Sequence, residues 1–195
     1  METCEPSPKV CSGSERIQWL RFGGRWRLEM DLRSILSPED VLTEFTAAEK
    51  TELLRELSGR AALTVAVDPQ LVLSEILRHE ELGSSGVGNG VAMPHARFRS
   101  LVSPYGVLAR LKQPVEFAAI DGIPVDIVFL LLLPELPAVG QLQALACVAR
   151  QLRNPEILLS FRKAPDAVQA YRAVIGPVEE SPSCDAEIRN RTIGR

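Results

Sequence analysis

Seven consecutive apolar residues, Ile127 to Leu133, lie between Asp126 and Pro134. The run is far too short to cross a bilayer, which takes roughly 20 residues. A strand with one wet face alternates apolar and polar side chains, whereas a strand that is apolar at every position has both faces covered. "IVFLLLL" therefore predicts a central strand. The rest of the chain has to cover both sides of the sheet it belongs to.

The flanking sequence offers further strands and the covers. "GVLARL" at 106–111 reads as a strand, and Asp121-Gly122, between "VEFAAI" and "IPVDIVFLLLL", reads as a hairpin turn. Upstream, "TAAE" at Thr46–Glu49 fits a capping box for a helix that carries Leu53, Leu54 and Leu57 and stops at Gly59. Asp68-Pro69 fits an N-cap with proline at the first helical position. That helix carries Leu71, Val72, Ile76 and Leu77 and stops near Gly83. Downstream, Leu142, Leu145, Ala149 and Leu152 form a helical stripe. Asn154-Pro155 and Pro165-Asp166 start two short helices, and Gly176-Pro177 closes the second. There is no internal repeat. The order helix, helix, strands, helices predicts an α/β single domain, a mixed β-sheet flanked by helices on both faces.

At 195 residues the chain has the length for one domain with a two- or three-layer core. A formal net charge of −3 gives no whole-chain basic footprint for nucleic acid. Cys4, Cys11, Cys147 and Cys184 show no paired metal-ligand spacing, so no metal is expected, and the N-terminus lacks the apolar core of a secretory signal. These features favour a reduced, cytoplasmic protein without a transmembrane segment. Residues 1–29 are expected to form a loosely ordered extension. Met30-Asp31-Leu32 reads as a domain start, with Met30 a candidate initiator. The domain runs over 30–176, and 177–195 reads as a polar tail.

The chain has only two histidines, His79 and His95. His95 follows Pro94 at the end of a glycine-rich stretch, "LGSSGVGNGVAMPHARF" at 82–98. Gly83 and Gly88 have the outer spacing of a Walker A loop, but Asn89-Gly90 stands where Lys-Ser/Thr is required, which argues against a nucleotide-binding domain. The dinucleotide pattern fails as well, because its third glycine is Val91 or Met93 in either register. Glycines of this kind also mark plain turns that need positive φ. The alternative is a nest of backbone N–H groups at Gly83, Gly86, Gly88 and Gly90, with Ser84, Ser85 and Asn89 as added donors, that holds an anion beside the histidine. Neutral imidazole is a competent nucleophile near pH 7, so this pattern points to phosphoryl transfer onto a ring nitrogen of His95.

The 82–98 segment closely resembles the active-site segment of enzyme IIA domains of the fructose/mannitol type (type 2) in the bacterial phosphoenolpyruvate-dependent sugar phosphotransferase system, nearest to the nitrogen-regulatory branch. The resemblance covers about residues 31–175, including "FAAIDGIPVDIVFLLLLP" and "LQALACVARQL". It implies a mixed sheet flanked by helices. It implies a histidine, His95, whose Nε2 takes phosphate from the phosphohistidine of the small carrier HPr or its nitrogen-branch counterpart. It also implies backbone amides around 83–90 as the phosphate cradle and no cofactor or metal. The phosphate would pass to a IIB domain, or the phospho-state would set binding to regulatory target proteins in nitrogen or carbon regulation.

Four positions depart from the family's pattern. The usual arginine before the glycine loop is His79, with Arg78 its neighbour pointing about 100° away on a helix. The usual "H-x-H" after the central strand is Gln141 and Gln143, and the glycine after the active histidine is Ala96. His79 and Gln143 are therefore supporting residues with less charge to offer, and Arg97 and Arg99 are the neighbouring positives that compensate or steer the donor. Two functions follow. One is a phosphocarrier acting at His95. The other is a non-catalytic enzyme IIA-like module that binds regulatory partners without transfer.

Overall fold

In the computed structural model, residues 18–22, 25–135 and 138–176 are described. The elements in chain order are β1 (Gln18–Phe22), β2 (Arg25–Glu29), a short 3-10 turn (Leu32–Ser34), β3 (Leu36–Phe45), α1 (Lys50–Val65), α2 (Pro69–Leu82), β4 (Gly86–Gly88), β5 (Val91–Ala92), β6 (His95–Phe98), β7 (Tyr105–Val115), β8 (Val125–Pro134), α3 (Ala138–Leu152), α4 (Pro155–Lys163) and α5 (Ala167–Ile175). β1 and β2 form a separate antiparallel ribbon within the segment expected to be loosely ordered, while residues 1–17 and the tail 177–195 lie outside the described residues.

The main sheet has the order β3-β7-β8-β5-β4, with β6 also pairing β8. β8 is antiparallel to β7 and parallel to β5 and β6. The all-apolar run is thus flanked by strands on both edges, and the alternation of its side chains supplies two cores. Ile127, Phe129, Leu131 and Leu133 pack with Ala144, Val148 and Leu152 of α3, Leu158 and Phe161 of α4, and Val174 of α5. Val128, Leu130 and Leu132 pack with Leu53, Leu54 and Leu57 of α1 and Val72 and Ile76 of α2. The α/β domain with a mixed sheet covered by helices on both faces is the observed fold.

Several local expectations need correction. Thr46 is not the cap of α1. The helix starts at Lys50 behind Glu49, whose side chain makes no capping bond, and the Glu52 carboxylate instead accepts the Ala48 amide at 2.6 Å. Gly59 does not end the helix, which runs to Val65 and closes at Ala66 in the left-handed region (φ 53°). Burying Ala61 and Ala62 beyond it outweighs the roughly 1 kcal/mol helix penalty of one glycine. In α3, Leu142 is 71% exposed, and the buried side is Gln141, Ala144, Cys147, Val148 and Leu152. Asp121-Gly122 does form a turn, but inside the longer connection 116–124, since Val115 pairs with Val125. The sequence reading also passed over β3. Its Pro38 is tolerated because β3 lies at the sheet's edge and its register shifts between Leu36 and Val41.

The remaining helix signals hold. Asp68 accepts the Gln70 amide at 2.9 Å ahead of Pro69, Asn154 accepts the Glu156 amide at 2.9 Å ahead of Pro155, and Asp166 caps α5 through the Gln169 amide at 2.8 Å. Among the described residues no helix is long and apolar enough to cross a membrane.

Candidate functional site

β5 and β6 follow one line along β8, interrupted at Met93-Pro94. Proline has no N–H for a ladder, but its carbonyl still accepts the Leu131 amide at 2.9 Å, so the break is local. His95 is the first residue after it, paired across to Leu131. Its Nδ1 lies 3.1 Å from the Met93 carbonyl, and the Met93 amide donates to the Ser85 carbonyl at 2.9 Å. A carbonyl only accepts, so in the neutral ring Nδ1 carries the hydrogen and Nε2 keeps the lone pair. Burial holds the imidazole below its ordinary pKa of 6.5. The Met93 carbonyl opposes that shift, His79 and Arg97 add to it, and Glu80 opposes it again. The ring is therefore neutral at pH 7.

His79, in the last turn of α2, meets His95 ring to ring, with centroids 4.3 Å apart and planes tilted by 52°. Next to it Glu80 is nearly buried, with its side chain 6% exposed. One Glu80 oxygen accepts the Ser85 amide at 3.0 Å and the other pairs with Lys50 of α1. Lys50 also reaches the Phe117 carbonyl and lies over the Phe117 ring, 4.5 Å from its centre. No local pattern marks Lys50 and Glu80 as site residues, because their pairing forms only when α1 and α2 pack.

The glycine stretch forms the β4–β5 hairpin. Gly88, Asn89 and Gly90 have φ of 93°, 58° and 75°, a succession that only glycine and asparagine adopt readily. The hairpin is clasped from outside. The Asn89 amide donates to Asp121 at 2.8 Å, and the Asn89 carbonyl accepts from Arg162 at 2.7 Å. Arg162 also holds both oxygens of Asp126, at 2.7 and 2.6 Å. A Cβ on Gly86 would stand 2.8 Å from the Ala119 Cα. Ser84 donates to the Phe117 carbonyl at 2.6 Å and accepts the Gly86 amide at 3.1 Å. The Gly83 amide goes to the Glu80 carbonyl at 3.2 Å. Thus the amides of Gly83, Ser85, Gly86 and Asn89, which sequence reasoning offered to a phosphate, already have acceptors inside the protein. These bonds position Met93, and through it His95.

Of the other anticipated residues, Gln141 is 6% exposed and its amide donates to the Pro134 carbonyl at 2.9 Å and to that of Glu135, closing the end of β8. The Gln143 Oε1 is buried with no partner among the described residues. Arg99 pairs with Glu135 at 2.5 Å and Arg78 with Glu75 at 2.6 Å, so neither is turned to His95. Arg97 is exposed on β6. An open hollow of about 590 Å³ runs beside the loop, between Gly86, Met93 and Ile120 on one side and Leu152 and Arg153 on the other. Among the described residues no group of three or more His, Cys, Asp or Glu side chains gathers to hold a metal.

This site lies within the match to one family model, "Phosphoenolpyruvate-dependent sugar phosphotransferase system, EIIA 2", over residues 34–175. The chain is 37% identical over 148 residues to a nitrogen regulatory protein of Bradyrhizobium diazoefficiens, covering 76% of this chain and 97% of that one. It is 34% identical over 145 residues to a nitrogen regulatory protein of Pseudomonas aeruginosa, covering 74% and 94%. The crystal structure of nitrogen regulatory protein IIA-Ntr from Neisseria meningitidis superposes with a TM-score of 0.67 at 30% identity, over 73% of this chain and 97% of that one. The chain belongs to the EIIA type 2 family of the phosphoenolpyruvate-dependent sugar phosphotransferase system, on its nitrogen-regulatory side.

Proposed function

We propose that the chain is a phosphocarrier that accepts a phosphoryl group on His95 Nε2 from an HPr-type phosphohistidine donor. The observation that carries this reading is the Met93 carbonyl on His95 Nδ1, which leaves Nε2 as the nucleophile. Nε2 attacks phosphorus in line, the new N–P bond forms as the donor's N–P bond breaks, and the donor imidazole leaves with the electron pair. The neutral state of the buried ring keeps that lone pair available at pH 7. The phosphoryl group then goes to a IIB domain, or stays as a signal read by a regulatory partner; the names of the similar nitrogen regulatory proteins favour the second route.

The test is intact-mass spectrometry at alkaline pH after incubation with phosphoenolpyruvate, enzyme I and HPr or its nitrogen-branch counterpart. Wild type is expected to gain one phosphoryl group and His95→Ala none. A second reading, a binding module without transfer, is favoured by one observation. The two glutamines after the central strand bring no charge, and Gln141 is committed to the end of β8. It predicts no gain in mass with any donor and partner binding that survives His95→Ala.

A further inference from the structure

A phosphoryl group on a histidine carries close to two negative charges and needs positive charge beside it. Most cations near this site are already engaged. Lys50 is paired with Glu80, Arg99 with Glu135, Arg78 with Glu75 and Arg162 with Asp126. The ring of His79 touches that of His95, at 4.3 Å between centroids.

Two roles for that ring can be separated by geometry. Direct transfer between the histidines would place phosphorus on a line between two ring nitrogens. A near-attack contact alone takes about 3–3.5 Å, before the existing N–P bond and the two ring radii are added. Ring centres 4.3 Å apart leave no room for this. His79 is thus not a second stop for the phosphoryl group. It is placed to lie alongside one, where an imidazolium can donate a charge-assisted hydrogen bond to a phosphoryl oxygen.

We propose that protonated His79 holds the phosphoryl group on His95, so that the phospho-state is retained in proportion to the protonation of His79. This rests on the acceptor reading of His95. Two imidazoles in contact disfavour two positive charges, and before transfer His79 works against a charge on His95. Adding a dianionic group to His95 reverses the sign of the interaction. By reciprocity, whatever protonated His79 gives to the phosphoryl group, the phosphoryl group gives back as proton affinity of His79. The other charged groups around the pair are Glu80 of α2, tied to Lys50 of α1, and exposed Arg97 of β6. β8, which pairs with β6 at His95, is apolar from Ile127 to Leu133.

Because the chain has only two histidines, their ring nitrogens are directly readable by nitrogen-15 NMR. The first arm follows the His79 titration in the full chain before and after phosphorylation by phosphoenolpyruvate, enzyme I and the carrier. The expected result is a rise of about tenfold in the proton affinity of His79. The second arm measures the equilibrium fraction phosphorylated between pH 6 and pH 8.5 for wild type, His79→Arg and His79→Gln. Occupancy of wild type relative to His79→Arg is expected to fall several-fold across the range, with His79→Gln low throughout. A His79 titration that does not move on phosphorylation, or a wild-type to His79→Arg ratio independent of pH, overturns the proposal while leaving His95 as acceptor. Absence of label in wild type at every pH overturns the acceptor reading and this inference with it. The first arm needs no variant, so a misfolded His79→Arg does not blunt the test.

Discussion

The Met93 carbonyl lies 3.1 Å from His95 Nδ1, and this contact decides which nitrogen of the neutral ring keeps its lone pair. It also makes the proton balance of the folded protein predictable, because burial outweighs the carbonyl and holds the His95 pKa below 6.5.

The folded state therefore binds fewer protons at His95 than the unfolded chain. This contribution to stability is complete above pH 6.5 and is lost as the pH falls through the folded pKa. His95→Gln should show a flatter fall in urea midpoint between pH 7 and pH 5 than wild type. Parallel curves for the two proteins would contradict the assignment.

Gly86 and Gly59 should respond oppositely to alanine. A Cβ at Gly86 meets the Ala119 backbone at 2.8 Å, an overpacking expected to cost about 1–3 kcal/mol. A Cβ at Gly59, inside α1, meets nothing within 4 Å, and removing a helical glycine is expected to add about 0.5–1 kcal/mol. Chemical denaturation of the two variants measures both signs at once.

Tyr105 donates to the buried Asp40 carboxylate at 2.6 Å, joining β7 to β3. Tyr105→Phe should cost about 1–3 kcal/mol at pH 7, because it strips a buried acceptor of its donor. Burial already raises the Asp40 pKa, and the tyrosine hydrogen bond lowers it. Without that bond the acid form is favoured further, so the cost should shrink as the pH falls toward 4. A stability loss that does not vary with pH would place it in packing.

Arg110 is 9% exposed, and its Nη1 serves three carbonyls at the end of α4, those of Phe161, Arg162 and Ala164 at 3.1, 2.9 and 2.7 Å. Its Nη2 pairs with Glu44 at 3.1 Å. Arg110→Leu leaves those carbonyls without a donor and should destabilise by about 3 kcal/mol, while Arg110→Lys, lacking the planar fork, should recover only part. Thermal melts of both variants test the order.

Much of the architecture is legible in the chain because its signals are local. The seven apolar residues of β8 announce a strand with two covered faces, and Asp68, Asn154 and Asp166 cap helices through bonds to amides two or three residues on. Where reading failed, a distant contact prevailed over a local rule. Gly59 has a breaker's propensity, yet the core beyond it keeps α1 helical, and Leu142 looks like core until α3 is docked with Ala144 and Val148 inward.

The glycine-histidine stretch shows the same division at the candidate site. Sequence alone determined that a rare histidine ends a loop of glycines, and that the residues beside it depart from the family's pattern at His79 and Gln143. Only the tertiary structure decided how the loop is held, because the Asn89 amide finds its acceptor on Asp121 and the Ser84 hydroxyl, which accepts the Gly86 amide, finds its own on Phe117. Only it placed Lys50 behind Glu80 and laid the ring of His79 against His95. The physical reason is range. Capping bonds and side-chain periodicity act within a few residues and are written in neighbouring letters. The tautomer and charge of a buried imidazole depend on whichever groups the packed helices and strands bring to it.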